Sequence, residues 1–215
     1  MTLRLLRPGN ASPEVPPLET ERLTLRVPAL TDYRAWARLR RDSAAFLQPW
    51  EPLWTADELS RATFRSRIRS QTAQIAQGRA LPYFLFERAS DTLLGGLTVS
   101  NVRRGVAQAG TLGYWMGRPY AGQGFMREAV AAVCEHLHGA QGLHRIEAAT
   151  IASNARSVAL LERCGFRCEG VARAYLKIDD RWQDHLLYAR IKGDPVPVHE
   201  TPQDTRSDTP ERAIA

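Results

Sequence analysis

The chain has 215 residues, 44% hydrophobic and 24% charged, the composition of an ordinary globular protein and not of a fibrous or broadly disordered one. Its 29 Lys and Arg against 23 Asp and Glu leave a net charge of +6 and a pI near 9.6, which predicts attraction to phosphates or acidic partners. A chain of this length builds its core without disulfides or metal.

Residues 1–17 hold five Pro or Gly (Pro8, Gly9, Pro13, Pro16 and Pro17) and read as a flexible leader. Its apolar stretch is broken by Arg4 and Arg7, too short and too charged for a signal or a membrane span. Residues 193–215 read as a disordered, Pro-rich acidic tail: Asp194, Glu200, Asp204, Asp208 and Glu211 against Arg206 and Arg212 give a net of −3. The leader carries +1, so residues 18–192 carry +8; with no internal repeat or linker they read as one domain.

Within that domain, alternation over Arg22–Val27 predicts a strand stopped by Pro28, and Thr31-Asp32 offer an N-cap to the helix YRAWARLRR. Thr55, with Glu58 as a capping box, predicts the start of a second helix that keeps Phe64, Ile68 and Ile75 on one face until Gly78. Leu81–Glu87, Leu93–Ser100 and Thr111–Met116 read as strands joined by hairpin-length turns. Met126, Val130, Val133 and Leu137 mark a helix ending at Gly139; a strand over Arg145–Ile151, a helix over Ala155–Arg163 and strands over 166–178 and 182–191 follow. The expected class is α/β (α+β), a mixed sheet flanked by helices.

The junction Gly117-Arg118-Pro119-Tyr120-Ala121-Gly122-Gln123-Gly124-Phe125-Met126 carries the most chemistry. A strand that feeds a glycine turn and then a helix N-terminus cradles an anion, because glycines admit a phosphate close to the backbone and the first helical N–H groups are unpaired. A dinucleotide fingerprint needs a small residue where Arg127 stands, and Gly105 to Gly110 lacks the lysine of a P-loop. Cys134-x-His136-x-His138 fans around a helix instead of sharing one face, so no metal is expected there. Three cysteines, Cys134, Cys164 and Cys168, are odd in number and read as reduced thiols of a cytoplasmic protein.

Thirty residues after the glycine turn comes HRIEAATIASNARSVALLERCGF: a strand, a loop with Asn154 and a helix with Ser157. Together with the turn, this order resembles the GNAT acetyltransferases, and EGVARAYLKIDDRWQDHLLYAR resembles their RimJ/RimL group, which acetylates N-terminal amines of ribosomal proteins. The resemblance spans roughly residues 20–192. It implies a single domain with a mostly antiparallel seven-stranded sheet, splayed central strands and about four helices. It implies acetyl-CoA as cosubstrate, its pyrophosphate held at Ala121, Gly122, Gln123, Gly124, Phe125 and Met126 and its pantetheine beside Asn154 and Ser157. Ala121 departs from the family pattern, which has Gln or Arg there; backbone N–H groups hold the phosphate, so the binding mode survives while affinity is open to change.

Direct attack of an amine on the thioester requires an oxyanion donor, orientation and proton handling. The backbone N–H of Met116 is the candidate oxyanion donor. Ser157 either donates to the departing sulfur or merely caps a helix, and Tyr175 is the alternative acid. For the amine, Glu147 acting through water, Asp184 and His185 are candidates, although His185 alternates with Leu187, Ala189 and Ile191 as a core residue would. The resemblance implies a protein N-terminus, such as a ribosomal protein's, as acceptor; small amines, and a nucleic-acid-binding module without an acyl donor, are the competing readings. Trp50 and Trp54 are candidates for the acceptor wall. Arg61, Arg65, Arg67, Arg69 and Arg79 make the second helix basic, either a solvated face or a contact for ribosomal RNA or an acidic protein segment.

Overall fold

The computed structural model describes residues 15–197. The expected leader up to residue 14 and the tail from residue 198 lie outside the described residues.

The chain runs β1 (Leu18–Glu19), β2 (Leu23–Arg26), α1 (Tyr33–Asp42), α2 (Ala44–Leu47), α3 (Arg61–Ala76), β3 (Leu81–Glu87), β4 (Thr92–Arg103), β5 (Ala109–Met116), α4 (Phe125–His138), β6 (Arg145–Thr150), α5 (Ala155–Arg163), β7 (Arg167–Ile178) and β8 (Arg181–Ile191). The strands form one sheet in the order β1-β2-β3-β4-β5-β6-β8-β7. Seven strands match the expectation, and the two-residue β1 is the eighth.

Every neighbouring pair is antiparallel except β5 and β6. Those two pair only where Ala109–Thr111 face Arg145–Glu147. Beyond that point each strand runs on, β5 to Met116 and β6 to Thr150, without a shared ladder, so the sheet splits open in its middle. On their outer sides β5 stays paired with β4 and β6 with β8.

Helices cover both faces. Met126, Val130, Val133 and Leu137 are spaced as a buried stripe on α4, and they pack with Leu161 of α5 on Leu23, Leu85, Leu97 and Ile146. The other face carries Trp36 and Leu39 of α1 and Phe64 of α3 over Phe84, Phe86 and Leu93. Rings of Trp36 and Phe64 lie 4.7 Å apart, locking α1 to α3.

Two expected caps differ. The second helix starts at Arg61, where the Ser60 hydroxyl accepts the Thr63 N–H at 3.1 Å. Thr55 and Glu58 instead close a turn of their own, the Glu58 N–H reaching the Thr55 carbonyl at 3.0 Å. Asp32 does not cap α1; it accepts the Ala29 N–H at 2.7 Å and holds Arg26 at 2.7 and 2.8 Å. A short acidic side chain near an arginine serves the ion pair before the cap.

Candidate active site

After Gly117, a 3₁₀ turn over Arg118–Tyr120 delivers the chain to Gly122 and Gly124, both left-handed with φ of +81° and +83°. Only glycine takes that backbone cheaply. Gly124 is the N-cap of α4 and offers no side-chain cap. Among the described residues, no protein acceptor takes the N–H groups of Gly122, Gln123, Gly124, Phe125 or Met126. Those free donors sit at the positive end of a 14-residue helix, the arrangement that receives an anion.

The turn is braced from behind. Arg22 donates to the Gln123 carbonyl at 3.2 Å and to Glu128 of α4 at 2.7 Å, and the Gln123 side chain donates to the Pro119 carbonyl at 2.7 Å. Burial opposes ionisation of Glu128, yet hydrogen bonds from Thr20 and Arg22 and the Arg22 charge hold its carboxyl below the ordinary value. Arg118 and Arg156 flank the turn with Phe46, placing positive charge around it without crowding the glycines.

The turn opens into a cavity of about 1070 Å³ that runs through the β5–β6 split. Gly117 donates to the Leu94 carbonyl at 2.8 Å across the β4–β5 ladder. Antiparallel alternation then turns the N–H groups of Gly113 and Trp115 toward β4 and those of Tyr114 and Met116 toward the split. The backbone N–H of Met116 therefore faces the gap.

Asn154 caps α5, its side-chain oxygen accepting the Ser157 N–H at 3.2 Å. That fixes Ser157 on the first turn of α5, facing the cavity, where its hydroxyl lies 2.8 Å from the hydroxyl of Tyr114. Burial pushes the Tyr114 phenol up to about 12, so at neutral pH it carries its proton and can donate. This pair was not legible in the sequence, because its members lie 43 residues apart on different elements.

The far end is lined by Pro49, Trp50, Glu51, Leu176, Ile178 and His185. Glu51 is the one carboxylate on the cavity wall among the described residues. It is gripped by the buried Arg40 at 3.0 Å and by the Trp54 indole N–H at 2.7 Å, and Arg40 lies over the rings of Trp54 and Trp115. The Glu51 carbonyl also accepts the Asp179 N–H at 3.0 Å, tying this wall to the β7–β8 turn. Sequence reasoning missed Glu51 because its partner Arg40 lies on another element.

The remaining candidates fall elsewhere. Glu147 lies on the paired half of β6, outside the cavity lining, with its carboxylate engaged by Arg103 and Arg145. Tyr175 is half exposed and packs edge-on against His185, whose ring centroid is 5.8 Å away. His185 is buried, its Nδ1 meeting the Gln183 carbonyl at 2.9 Å, and it also borders the cavity. Asp184 accepts the Ala174 N–H at 2.8 Å. Trp50 borders the cavity while Trp54 stands behind it.

Cys134 is buried and its thiol pushed up to about 12 by burial, while His138 meets the Leu143 carbonyl at 3.0 Å. Among the described residues no group of three or more His, Cys, Asp and Glu gathers as a metal would require, and no helix is long and apolar enough to cross a membrane.

A glycine turn on a helix N-terminus, beside a sheet split between parallel neighbours, defines an acyl-CoA transferase fold of the GNAT type. The profile described as "Acetyltransferase (GNAT) domain" matches residues 22–167, and the chain belongs to that family; it is an N-acetyltransferase that uses acetyl-CoA. It is 36% identical over 182 residues to the [ribosomal protein uS5]-alanine N-acetyltransferase of Escherichia coli, covering 84% of this chain and 93% of that protein. The structure of Mycobacterium smegmatis RimJ in complex with CoA-disulfide superposes with a TM-score of 0.77 at 33% identity, covering 85% of this chain and 88% of that one. The ribosomal-protein-S5-alanine acetyltransferase of Vibrio fischeri superposes with a TM-score of 0.77 at 29% identity, covering 84% and 98%.

Proposed function

We propose that this protein transfers the acetyl group of acetyl-CoA to the N-terminal amine of a protein, and that a ribosomal protein is its acceptor. The observation that carries the acceptor is the 36% identity, along 84% of the chain, to an enzyme named for the alanine terminus of a ribosomal protein. In this reading the enzyme works in the cytoplasm, where a ribosomal protein would be its substrate. Residues 18–192 form the catalytic domain in this reading, with 1–17 and 193–215 as appendages.

In this reading the free N–H groups of residues 122–126 hold the pyrophosphate, and Ala121, which bears no polar side chain, only shapes the turn. The split between β5 and β6 takes the pantetheine, with Asn154 and Ser157 along it. The amine nitrogen attacks the thioester carbon; the Met116 N–H takes the charge that develops on the carbonyl oxygen, worth several kcal/mol in such sites. The C–S bond then breaks. Ser157 donates a proton to the leaving sulfur as Tyr114 passes its own to Ser157; the amine's surplus proton leaves to solvent, and Tyr114 takes one back from solvent, so both hydroxyls are restored.

Ser157 is preferred to Tyr175 because it borders the cavity and is hydrogen-bonded to a second proton donor. Glu147 has no part, being ion-paired outside the cavity. A terminal α-amine with a pKa near 8, against about 10.4 for lysine, costs roughly 3 kcal/mol less to deprotonate, so a dedicated base is dispensable. Turnover with peptides bearing free N-terminal Ala or Ser, compared with polyamines, aminoglycosides and amino acids, tests the acceptor: faster turnover of the peptides is expected, and preference for a small amine would overturn the reading. Contact with ribosomal RNA through the arginine-rich α3 belongs to the same reading but is not needed by the cavity.

A further inference from the structure

The charge that the catalytic cavity leaves over is gathered on two helices. On α1, Arg34, Arg38 and Arg41 recur at the spacing of one helical face, and all three are exposed. On α3, Arg61, Arg65 and Arg69 recur every fourth residue, and all three are exposed as well. Both helices pack on the same face of the sheet, joined through Trp36 and Phe64, so the two stripes belong to one layer. That layer is the one opposite α4 and α5.

Acidic compensation is nearly missing. α3 contains no carboxylate at all, and α1 contains one, Asp42, which approaches Arg38 at 3.7 Å with both side chains well exposed. Arg67, on the other flank of α3, is already taken by Glu58 at 2.7 Å. Among the described residues no carboxylate lies within salt-bridge distance of Arg34, Arg41, Arg61, Arg65 or Arg69. Uncompensated like charges four residues apart destabilise a helix, so a counter-charge must come from outside these helices or the repulsion stands.

We propose that the exposed arginines of α1 and α3 form a docking surface for the phosphodiester backbone of RNA. Each stripe repeats at about 6 Å along its helix axis, so each helix presents a row of guanidinium groups on this layer of the molecule. A polyanion with a charge on every residue satisfies such a row, whereas an acidic protein segment would need an unbroken run of carboxylates along it. The guanidinium fork binds phosphate through paired N–H groups, which fits a backbone contact without base reading. If the acceptor is a ribosomal protein, as proposed, the surface would hold the enzyme beside a protein substrate embedded in RNA.

The test uses the full chain and a fluorescein-labelled RNA hairpin, with binding followed by anisotropy as a function of salt. Six phosphate contacts predict a roughly 10³-fold weakening between about 50 and 200 mM salt. The double variants Arg34→Gln/Arg38→Gln and Arg65→Gln/Arg69→Gln should each weaken binding and lower the logarithmic salt slope by about two. Their acetylation of a short free peptide should be unchanged, which shows that they fold. No binding of the hairpin, a flat salt response, or variants that bind like the parent would overturn the proposal. So would equal competition by poly-glutamate at matched charge, which would assign the surface to an acidic protein. Hairpin binding without acetylation of any protein N-terminus would sink the ribosomal reading and leave the RNA surface in place; peptide acetylation without hairpin binding would do the reverse.

Discussion

The hydroxyl of Tyr114 on β5 lies 2.8 Å from the hydroxyl of Ser157 on α5, so the two sides of the split in the sheet meet at a pair of proton donors. The contact depends on three separate facts of the fold. β6 leaves β5 after Thr111, the Asn154 cap sets the first turn of α5, and burial keeps the Tyr114 phenol protonated far above neutral pH.

From this pair, Ser157→Ala should lower kcat by about 10²-fold, the low end of what a positioned proton donor supplies, while the Kd for acetyl-CoA changes less than about threefold. Tyr114→Phe should have a smaller effect, because Ser157 remains to donate. In the double variant the losses should fall well short of additive, as for residues that act as a unit. Steady-state kinetics and calorimetric titration with acetyl-CoA check this; fully additive losses would mean that the two hydroxyls act separately.

At the glycine turn, Gly122→Ala meets no neighbouring atom but must hold a left-handed backbone. The strain of about 1–2 kcal/mol is relieved by moving the turn, so acetyl-CoA should bind roughly five- to thirtyfold more weakly with little loss of thermal stability. A titration by fluorescence or calorimetry shows it. An unchanged Kd would mean that the N–H groups of the turn do not hold the cofactor.

Stability should separate two arginines of the same helix. Glu51→Ala strands the buried Arg40 without its partner and should cost about 3–5 kcal/mol. Arg38→Ala removes a pair 3.7 Å apart at the surface and should cost under about 1 kcal/mol. Urea unfolding of both variants compares them directly.

Alkaline pH offers a fourth check. The hydroxyl of Tyr83 is buried with no hydrogen-bond partner, and burial pushes the phenol up to about 12. A folded pKa raised above the unfolded value near 10 stabilises the protonated native state. That stability is complete below about pH 10 and is lost as pH climbs toward 12, by up to roughly 2–3 kcal/mol. Tyr83→Phe should flatten this limb, and at neutral pH it should not destabilise, since it removes an unpaired buried hydroxyl. Melting curves from pH 7 to 11.5 measure both effects.

Local signals in the sequence carried much of this architecture. The stripe of Met126, Val130, Val133 and Leu137 announces α4, and two glycines before it announce the anion turn. The helix over Ala155–Arg163 also reads from the sequence, although its cap is the Asn154 side chain and not Ser157, whose own N–H that side chain accepts. What failed to read through was long-range. Ser60 displaced Thr55 as the cap of α3 because the Thr55–Glu58 turn satisfies itself. Glu147 looked like a base by its place on β6, but Arg103, 44 residues away, claims it. Tyr114 and Ser157 are 43 residues apart, and Arg40 and Glu51 sit on separate elements. No periodicity reports such meetings; they follow from sheet order and from where β5 and β6 part.

One peptide can decide which nitrogen receives the acetyl group. A peptide with a free N-terminal alanine and an internal lysine should be incubated with acetyl-CoA and the enzyme, and the site of the added acetyl group mapped by tandem mass spectrometry. Acetylation of the α-amine is expected, with the lysine left free. Acetyl groups on the lysine side chain at an equal or greater rate would contradict it.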